Sequence, residues 1–344
     1  MSAPPVIPGG VNYLPPAPSF DLSSLKRSVI VVTSHILDPP PPFSSMASSE
    51  TQPLINKNPA LQSYYASLES RLGYRLILGG TRHFGYYEPG SWWPFPINVA
   101  LKRMEDHLFQ DLDLPAGATV LDAGCGNGYV AIHMANRKLN VRAIDVTERH
   151  VARAQKNVLA AGLQKAITAQ LGDYHNLEGF STESLDGVYT METLVHATDA
   201  KSVLEGFLRI LKPGGSLALY EYAHITPKDE EAKRLFGQVN EYAAMPANSE
   251  FEADTLLSLL EEVGFTDVKL TDLSENVKPM LRLFFILAYI PYFFIRAFGL
   301  ERYFVNAVAA IVGYRYYNFH RYCAIRATKP ATGDEHPVEP KKVQ

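Results

Sequence analysis

Cysteine is nearly missing from this chain: Cys125 and Cys323 are the only two in 344 residues. Two such thiols make no disulfide framework, and a reducing compartment, the cytoplasm, is the simple reading. Excess charge is missing too. At a net charge of −4, with no basic stripe and no interleaving of aromatic with basic residues, nucleic acid is not expected as a partner. Met1 to Pro5 is not a basic region leading into an apolar run, so no secretory signal is expected. Long hydrophobic runs are also lacking. A spanning helix needs roughly 20 apolar residues, and the nearest stretch, Leu283 to Ile295, holds thirteen and contains Pro291. That reads as too short to span, but long enough for a buried or interfacial helix. No metal site is expected.

What is present is ordinary for a globular protein, with 47% hydrophobic and 20% charged residues. Proline is uneven. Residues 1–60 hold twelve of the 24 prolines, including Pro39 to Pro42, and many serines. Such a segment buries little and reads as an irregular arm, interrupted by the apolar patch Val29 to Thr33. The expected organisation continues with a cofactor-binding core over 61–275 that carries an N-terminal helical cap. A hydrophobic insertion follows over 276–320, then a last core strand over 321–330 and a flexible tail over 331–344.

From Ala118 to Tyr222 strands alternate with helices. Strands are expected at Ala118–Asp122, Asn140–Val146, Ala166–Leu171, Ser184–Thr190 and Ser216–Tyr222. Between them, Val151, Ala154, Val158 and Ala161 recur at helical spacing, as do Val203, Leu204, Phe207, Leu208 and Leu211. The turn Lys212 to Gly215 closes the second of these stripes. Two further strands, Thr266–Leu273 and Tyr322–Thr328, flank an aromatic-rich block from Met280 to Tyr317. The pattern predicts an α/β fold. Its Rossmann-like, seven-stranded, mostly parallel sheet has helices on both faces and a helical, aromatic-rich lid inserted before the last strand.

The first strand runs into Leu121-Asp122-Ala123-Gly124-Cys125-Gly126-Asn127-Gly128. Glycines there let the backbone approach a ligand and present amides at a helix N-terminus. Dinucleotide-binding domains use a similar device. Asp122 separates the two readings, because a carboxylate would repel a pyrophosphate but binds the ammonium of an amino acid. S-adenosylmethionine (SAM) carries such an ammonium and NAD does not. Asp145, 23 residues on, ends the second strand, where its two oxygens can accept the ribose hydroxyls. Asp173 ends the third strand, where it can accept the adenine amine. Val146 and Tyr174, each following one of these acids, join the cofactor-binding set.

The glycine loop resembles the first motif of class I SAM-dependent methyltransferases, and Leu211 to Gly215 resembles their turn before the fifth strand. Val188 to Ala197 and Leu219 to Tyr222 are similar to sterol 24-C-methyltransferases. His83 to Gly90 is similar to the segment ahead of the core in tocopherol-type methyltransferases. The resemblance implies methyl transfer from SAM, with His83, Tyr86 and Tyr87 closing over the cofactor's methionine end. Ahead of the core the chain reads Glu88 to Pro96, with Trp92 and Trp93, where sterol enzymes carry a tryptophan–glycine-rich motif.

His196 follows the fourth strand at the carboxyl edge and is the first candidate for a general base. Glu192 at the same edge either contacts acceptor or SAM or orients His196; His83 completes the catalytic set, and Glu221 is a weaker candidate. The aromatic block suits a lipophilic acceptor such as a terpenoid, polyketide or sterol. With Arg282, Arg296 and Arg302 around it, the surface over 280–317 suits peripheral contact with an internal membrane. The expected function is therefore methylation of a lipophilic small molecule, with oxygen favoured over carbon. A sterol-type C-methyltransferase and a SAM-binding regulator without turnover are the alternatives. The oligomeric state is left open.

Overall fold

Alternating apolar stripes and turn residues along the chain give a regular succession of elements in the computed structural model. It describes residues 59–66, 73, 75–249 and 251–331. Most of the proline-rich arm, with Val29 to Thr33, and the tail from 332 lie outside the described residues. The first elements are α1 (Pro59–Ala66), α2 (Ile97–Leu112), β1 (Thr119–Ala123), α3 (Tyr129–Asn136), β2 (Asn140–Asp145) and α4 (Glu148–Ala160). Next come β3 (Ile167–Leu171), β4 (Leu185–Met191), α5 (Ala200–Ile210), β5 (Leu211–His224), α6 (Glu230–Tyr242) and α7 (Ala253–Val263). Then follow β6 (Thr266–Asp272), α8 (Ser274–Ala297), α9 (Val305–Arg315) and β7 (His320–Thr328).

The strands form one seven-stranded sheet in the order β3-β2-β1-β4-β5-β7-β6. Pairings from β3 through β5 are parallel, whereas β7 runs antiparallel to both β5 and β6. The chain leaves β1 toward β2 on one side and returns to β4 on the other. A crevice therefore opens at the carboxyl ends of β1 and β4, where open α/β sheets bind ligands. Both faces are covered. Met104, Leu108, Met134, Val141 and Tyr220 fill one side beneath α2, α3 and α4, while Leu121, Leu204, Phe207, Leu217 and Leu260 fill the other beneath α5 and α7. Asp199 caps α5 by accepting from the Ser202 amide at 3.0 Å, a contact of about 1 kcal/mol.

Two expectations need correction. The fifth strand is longer than Ser216–Tyr222: it begins at Leu211, which pairs with Leu185, and Lys212 to Gly215 form an irregular start rather than a free turn. The apolar run called too short to span belongs to the 24-residue α8, about 36 Å long at 1.5 Å per residue. By length and composition that helix is long and apolar enough to cross a membrane. Pro291, within that run, and Pro279 are both carried inside it. Each removes one backbone donor, but packing holds the helix together. Ala288 packs against Ala310 and Ile311 of α9, and Gly313 lets Leu281 lie close, at 3.5 Å from where its β-carbon would be.

Candidate active site

The chain turns sharply after β1. Gly124 has φ of 102°, and a β-carbon there would meet the Thr193 side chain at 2.6 Å. Gly128, with φ of 79°, opens α3, and a β-carbon on it would lie 3.0 Å from that of Ala154 in α4. Glycine adopts both conformations without steric cost. The turn borders a cleft of about 80 Å³, lined by Asp122, Gly124, Cys125, Gly126, Asn127, Asp145, Val146, Asp173, Tyr174, Glu192 and His196, with His83 at its edge.

Asp122 at the end of β1 is 3% exposed, and its Oδ2 finds no donor among the described residues. Burial pushes its carboxyl up to about 7. The Tyr189 hydroxyl beside it offsets only part of that, and a buried carboxylate oxygen left without a donor suits a cation such as the ammonium of SAM. Asp145 is held the other way. Burial opposes its charge, but His150 at 3.1 Å and the amides of Thr147 at 2.8 Å and Gly126 at 2.9 Å bring its pKa below the ordinary value. Those three donors leave room for about one more on a carboxylate's four acceptor positions, so His150 must yield for both ribose hydroxyls to bind. Asp173 Oδ1 accepts from the amide and ring of His175, at 2.9 and 2.7 Å. The donor and acceptor set fits SAM. Tyr65 of α1 stands in the lining of the cleft, edge-on to His150 with the Arg82 guanidinium 4.7 Å from its ring centre.

Against the cleft lies a second, larger hollow of about 640 Å³, enclosed by α6, α8 and α9. Val239, Leu281, Phe284, Ala288, Val305 and Val312 make its wall apolar. Tyr65, Arg82, His83, Glu192 and His196 line both hollows and form the partition between them. That volume suits a lipophilic molecule of drug size.

The partition's titratable groups are all engaged. His196 Nδ1 faces the Ala244 carbonyl at 2.8 Å and its Nε2 the Tyr65 hydroxyl at 3.0 Å. Burial pulls its pKa down to about 4, so the ring is neutral. Glu192 Oε1 accepts from the Phe84 amide at 2.7 Å and the Tyr322 hydroxyl at 2.9 Å, while Oε2 accepts from Tyr222. Both nitrogens of His83 face acceptors, the Phe84 carbonyl at 2.8 Å and Glu105 at 3.3 Å, so both carry protons. Burial lowers its pKa, but the hydrogen bond and charge of Glu105 outweigh that and raise it. Glu105 continues to His133 at 3.0 Å, and His133 to Asp106 at 2.8 Å, which pairs with Arg137 at the surface.

Several expected positions fall elsewhere. Glu192 does not orient His196, because its oxygens are taken by Phe84, Tyr222 and Tyr322. Tyr86 and Tyr87 do not line the cleft. Gly85 packs against Ala100, where a β-carbon would be only 2.6 Å away, and the chain beyond it turns toward α2 and α8. Tyr86 stacks on His107, with ring centroids 3.9 Å apart, and the Tyr87 hydroxyl donates to Pro94 at 2.7 Å. Glu221 lines neither hollow. It accepts from the Thr190 hydroxyl at 2.6 Å and from the amides of Thr193, Leu194 and Val195, so it shapes the loop that carries His196. Gly128 acts through helix packing rather than the lining. Tyr65, Arg82 and His150, absent from the expected set, are lining residues; the first two come from segments far along the chain, and His150 follows Asp145 by five residues.

Residues 120–215 match the family described as methyltransferase domain. The chain is 40% identical over 277 residues, 79% of its length, to an S-adenosyl-L-methionine-dependent Diels-Alderase of Talaromyces variabilis, covering 95% of that protein. It is 30% identical over 211 residues to an O-methyltransferase of Aspergillus sclerotiorum, covering 60% of this chain and 76% of that protein. Among solved structures, the fold is similar to the (4+2)-cyclase SpnF, with a TM-score of 0.62 and 23% identity over 78% of this chain and 96% of that one.

Proposed function

The chain belongs to the class I SAM-dependent methyltransferase family and is a SAM-dependent enzyme, and from that premise we propose that it cyclises a lipophilic polyene by an intramolecular (4+2) cycloaddition. The observation that carries this reading is the likeness to the Talaromyces variabilis Diels-Alderase along nearly all of that enzyme's length. The site is compatible with it. A cycloaddition makes two carbon–carbon σ bonds from the substrate's own π electrons, takes up or releases no proton and has no leaving group. It needs a folded substrate and a dry cavity rather than a base. The hollow of about 640 Å³ offers that cavity, and none of Glu192, His83 and His196 is poised as a strong base. In this reading Asp122 binds the ammonium of SAM, Asp145 the ribose and Asp173 the adenine. Bound SAM supplies a fixed sulfonium charge.

A second reading, O-methylation of a lipophilic alcohol or phenol, is favoured by His196. Its Nε2 faces a hydroxyl, that of Tyr65, in the partition between cleft and cavity. A substrate hydroxyl in Tyr65's place would meet the same nitrogen.

The two readings separate by product mass. Purified protein with SAM is given a synthetic linear polyene that carries a diene, an activated alkene and a free hydroxyl. Cycloaddition gives a single stereoisomer of unchanged mass with SAM intact. A product heavier by one methylene, with an equivalent of S-adenosylhomocysteine, would overturn it.

A further inference from the structure

The large cavity opens through the most apolar part of the molecular surface. On α8, residues one helical turn apart share a face. Val277, Leu281, Ala288 and Ile295 turn inward and are buried. Leu287, Pro291 and Phe294 line the cavity, and Leu287 and Phe294 are exposed as well, as is Phe298 beyond the helix, so they form its mouth. Ile286, Tyr289, Ile290 and Phe293 make up the outer face and do not themselves line the cavity; Ile290 and Phe293 are each 70% exposed. Monomers seldom leave such a contiguous apolar face in water.

Charge says what covers it. From the start of α8 to residue 319 there are five basic side chains, Lys278, Arg282, Arg296, Arg302 and Arg315, against two acids, Glu275, which pairs with Lys278, and Glu301. That is a local +3 within a chain whose net charge is −4. Arg296 and Arg302 are exposed near the mouth, with no ion-pair partner among the described residues. Arg282 lies 3.7 Å from the centre of the exposed Trp92 ring. Apolar residues on one face, arginines at its rim and tryptophan at its end are what an interfacial helix presents to a bilayer. Spanning is excluded by the inward face, which is fixed to the domain by Val277, Met280 and Leu281.

We propose that the outer face of α8 docks flat on an anionic lipid surface, which sets the cavity mouth against the membrane so that an apolar substrate enters without crossing water. The docking stands on the surface alone; the entry route rests on the cyclase reading above.

Flotation of the full chain tests it. Vesicles of equal phosphatidylcholine and phosphatidylserine should carry the protein up the gradient. Phosphatidylcholine vesicles, or the mixture in high salt, should carry far less. Arg296→Gln with Arg302→Gln should weaken partitioning roughly tenfold or more, at about 1 kcal/mol for each basic residue near the surface. Ile290→Asp with Phe293→Asp should abolish it while SAM binding, measured by calorimetry, stays at the wild-type value. Equal flotation of the aspartate variant would overturn the proposal. So would a lipid-free dimer that this variant splits, which would make a second copy the occupant. Slow thiol labelling of Ile290→Cys in the lipid-free monomer would overturn it as well, since the chain itself would then cover the face. None of these readouts involves turnover, so a failure here is distinct from failure of the cyclase reading.

Discussion

Replacing Asp122 by asparagine should make the free protein more stable while destroying its affinity for SAM. Burial carries the Asp122 carboxyl from 3.8 to about 7, and its Oδ2 has no donor among the described residues. Its folded pKa lies above the unfolded one, so the group costs nothing below the unfolded value. The cost grows as pH rises between the two and is complete above about 7. A shift of about three units, at about 1.36 kcal/mol each, amounts to roughly 4 kcal/mol above neutrality. The asparagine amide brings an unpartnered polar group of its own, which costs about 1–2 kcal/mol. The net gain is then about 2–3 kcal/mol, or about 5 °C in Tm at roughly 2 °C per kcal/mol for a chain of this size. Thermal denaturation of both proteins without SAM, at a mildly alkaline pH and near pH 5, reads this directly: the gap should open at the higher pH and close at the lower. Calorimetry should show SAM affinity lost by more than a hundredfold. A variant less stable than wild type at alkaline pH, or one that binds SAM unchanged, would refute the assignment of Asp122 as an uncompensated carboxylate awaiting a cation.

Glu105→Gln should destabilise the fold by about 3 kcal/mol, since it breaks a buried pair. The His83 pKa is raised, so its share of stability is complete below about 6.5 and is lost as pH climbs through the folded value. The difference in Tm from wild type should therefore be widest near pH 6 and shrink under alkaline conditions. Nitrogen-15 spectra of the histidines should show His83 doubly protonated at pH 7 in wild type and neutral in the variant. The carboxylates that face it, Glu105, Glu192 and Asp122, all favour its charge. Gly128→Ala forces a non-glycine residue into positive φ, which costs about 1–3 kcal/mol, and presses on Ala154, so both Tm and SAM affinity should fall. Ala309→Phe, which adds bulk to the cavity wall, should lower kcat/KM for a lipophilic substrate more than tenfold with SAM binding unchanged.

The core of the fold was legible because its signals are local. Val151, Ala154 and Val158 recur at one helical face, and β1 ends in an acid followed by three spaced glycines, so the sheet and its crevice follow from neighbours in sequence. The same locality misled at α8. The run around Pro291 reads as short, yet contacts with α9, such as Ala288 with Ala310 and Leu281 with Gly313, keep a longer helix continuous. The resemblance to tocopherol-type methyltransferases implies that Tyr86 and Tyr87 close over the cofactor with His83, but the close approach of Gly85 to Ala100 turns them away. Glu221 is a buried strand carboxyl like Asp122 but has four donors around it, a matter of tertiary packing. Tyr65 and Arg82 reach the cleft from distant segments that no spacing rule links to it, whereas His150 follows Asp145 by five residues and is within reach of a local reading.

Methyl-labelled SAM with a linear polyene substrate tests the central claim most directly. Cycloaddition requires a cyclised product that carries no label, a rate that collapses when SAM is omitted, and label recovered wholly as SAM. One labelled methyl group in each molecule of product would contradict it and return the chain to methyl transfer.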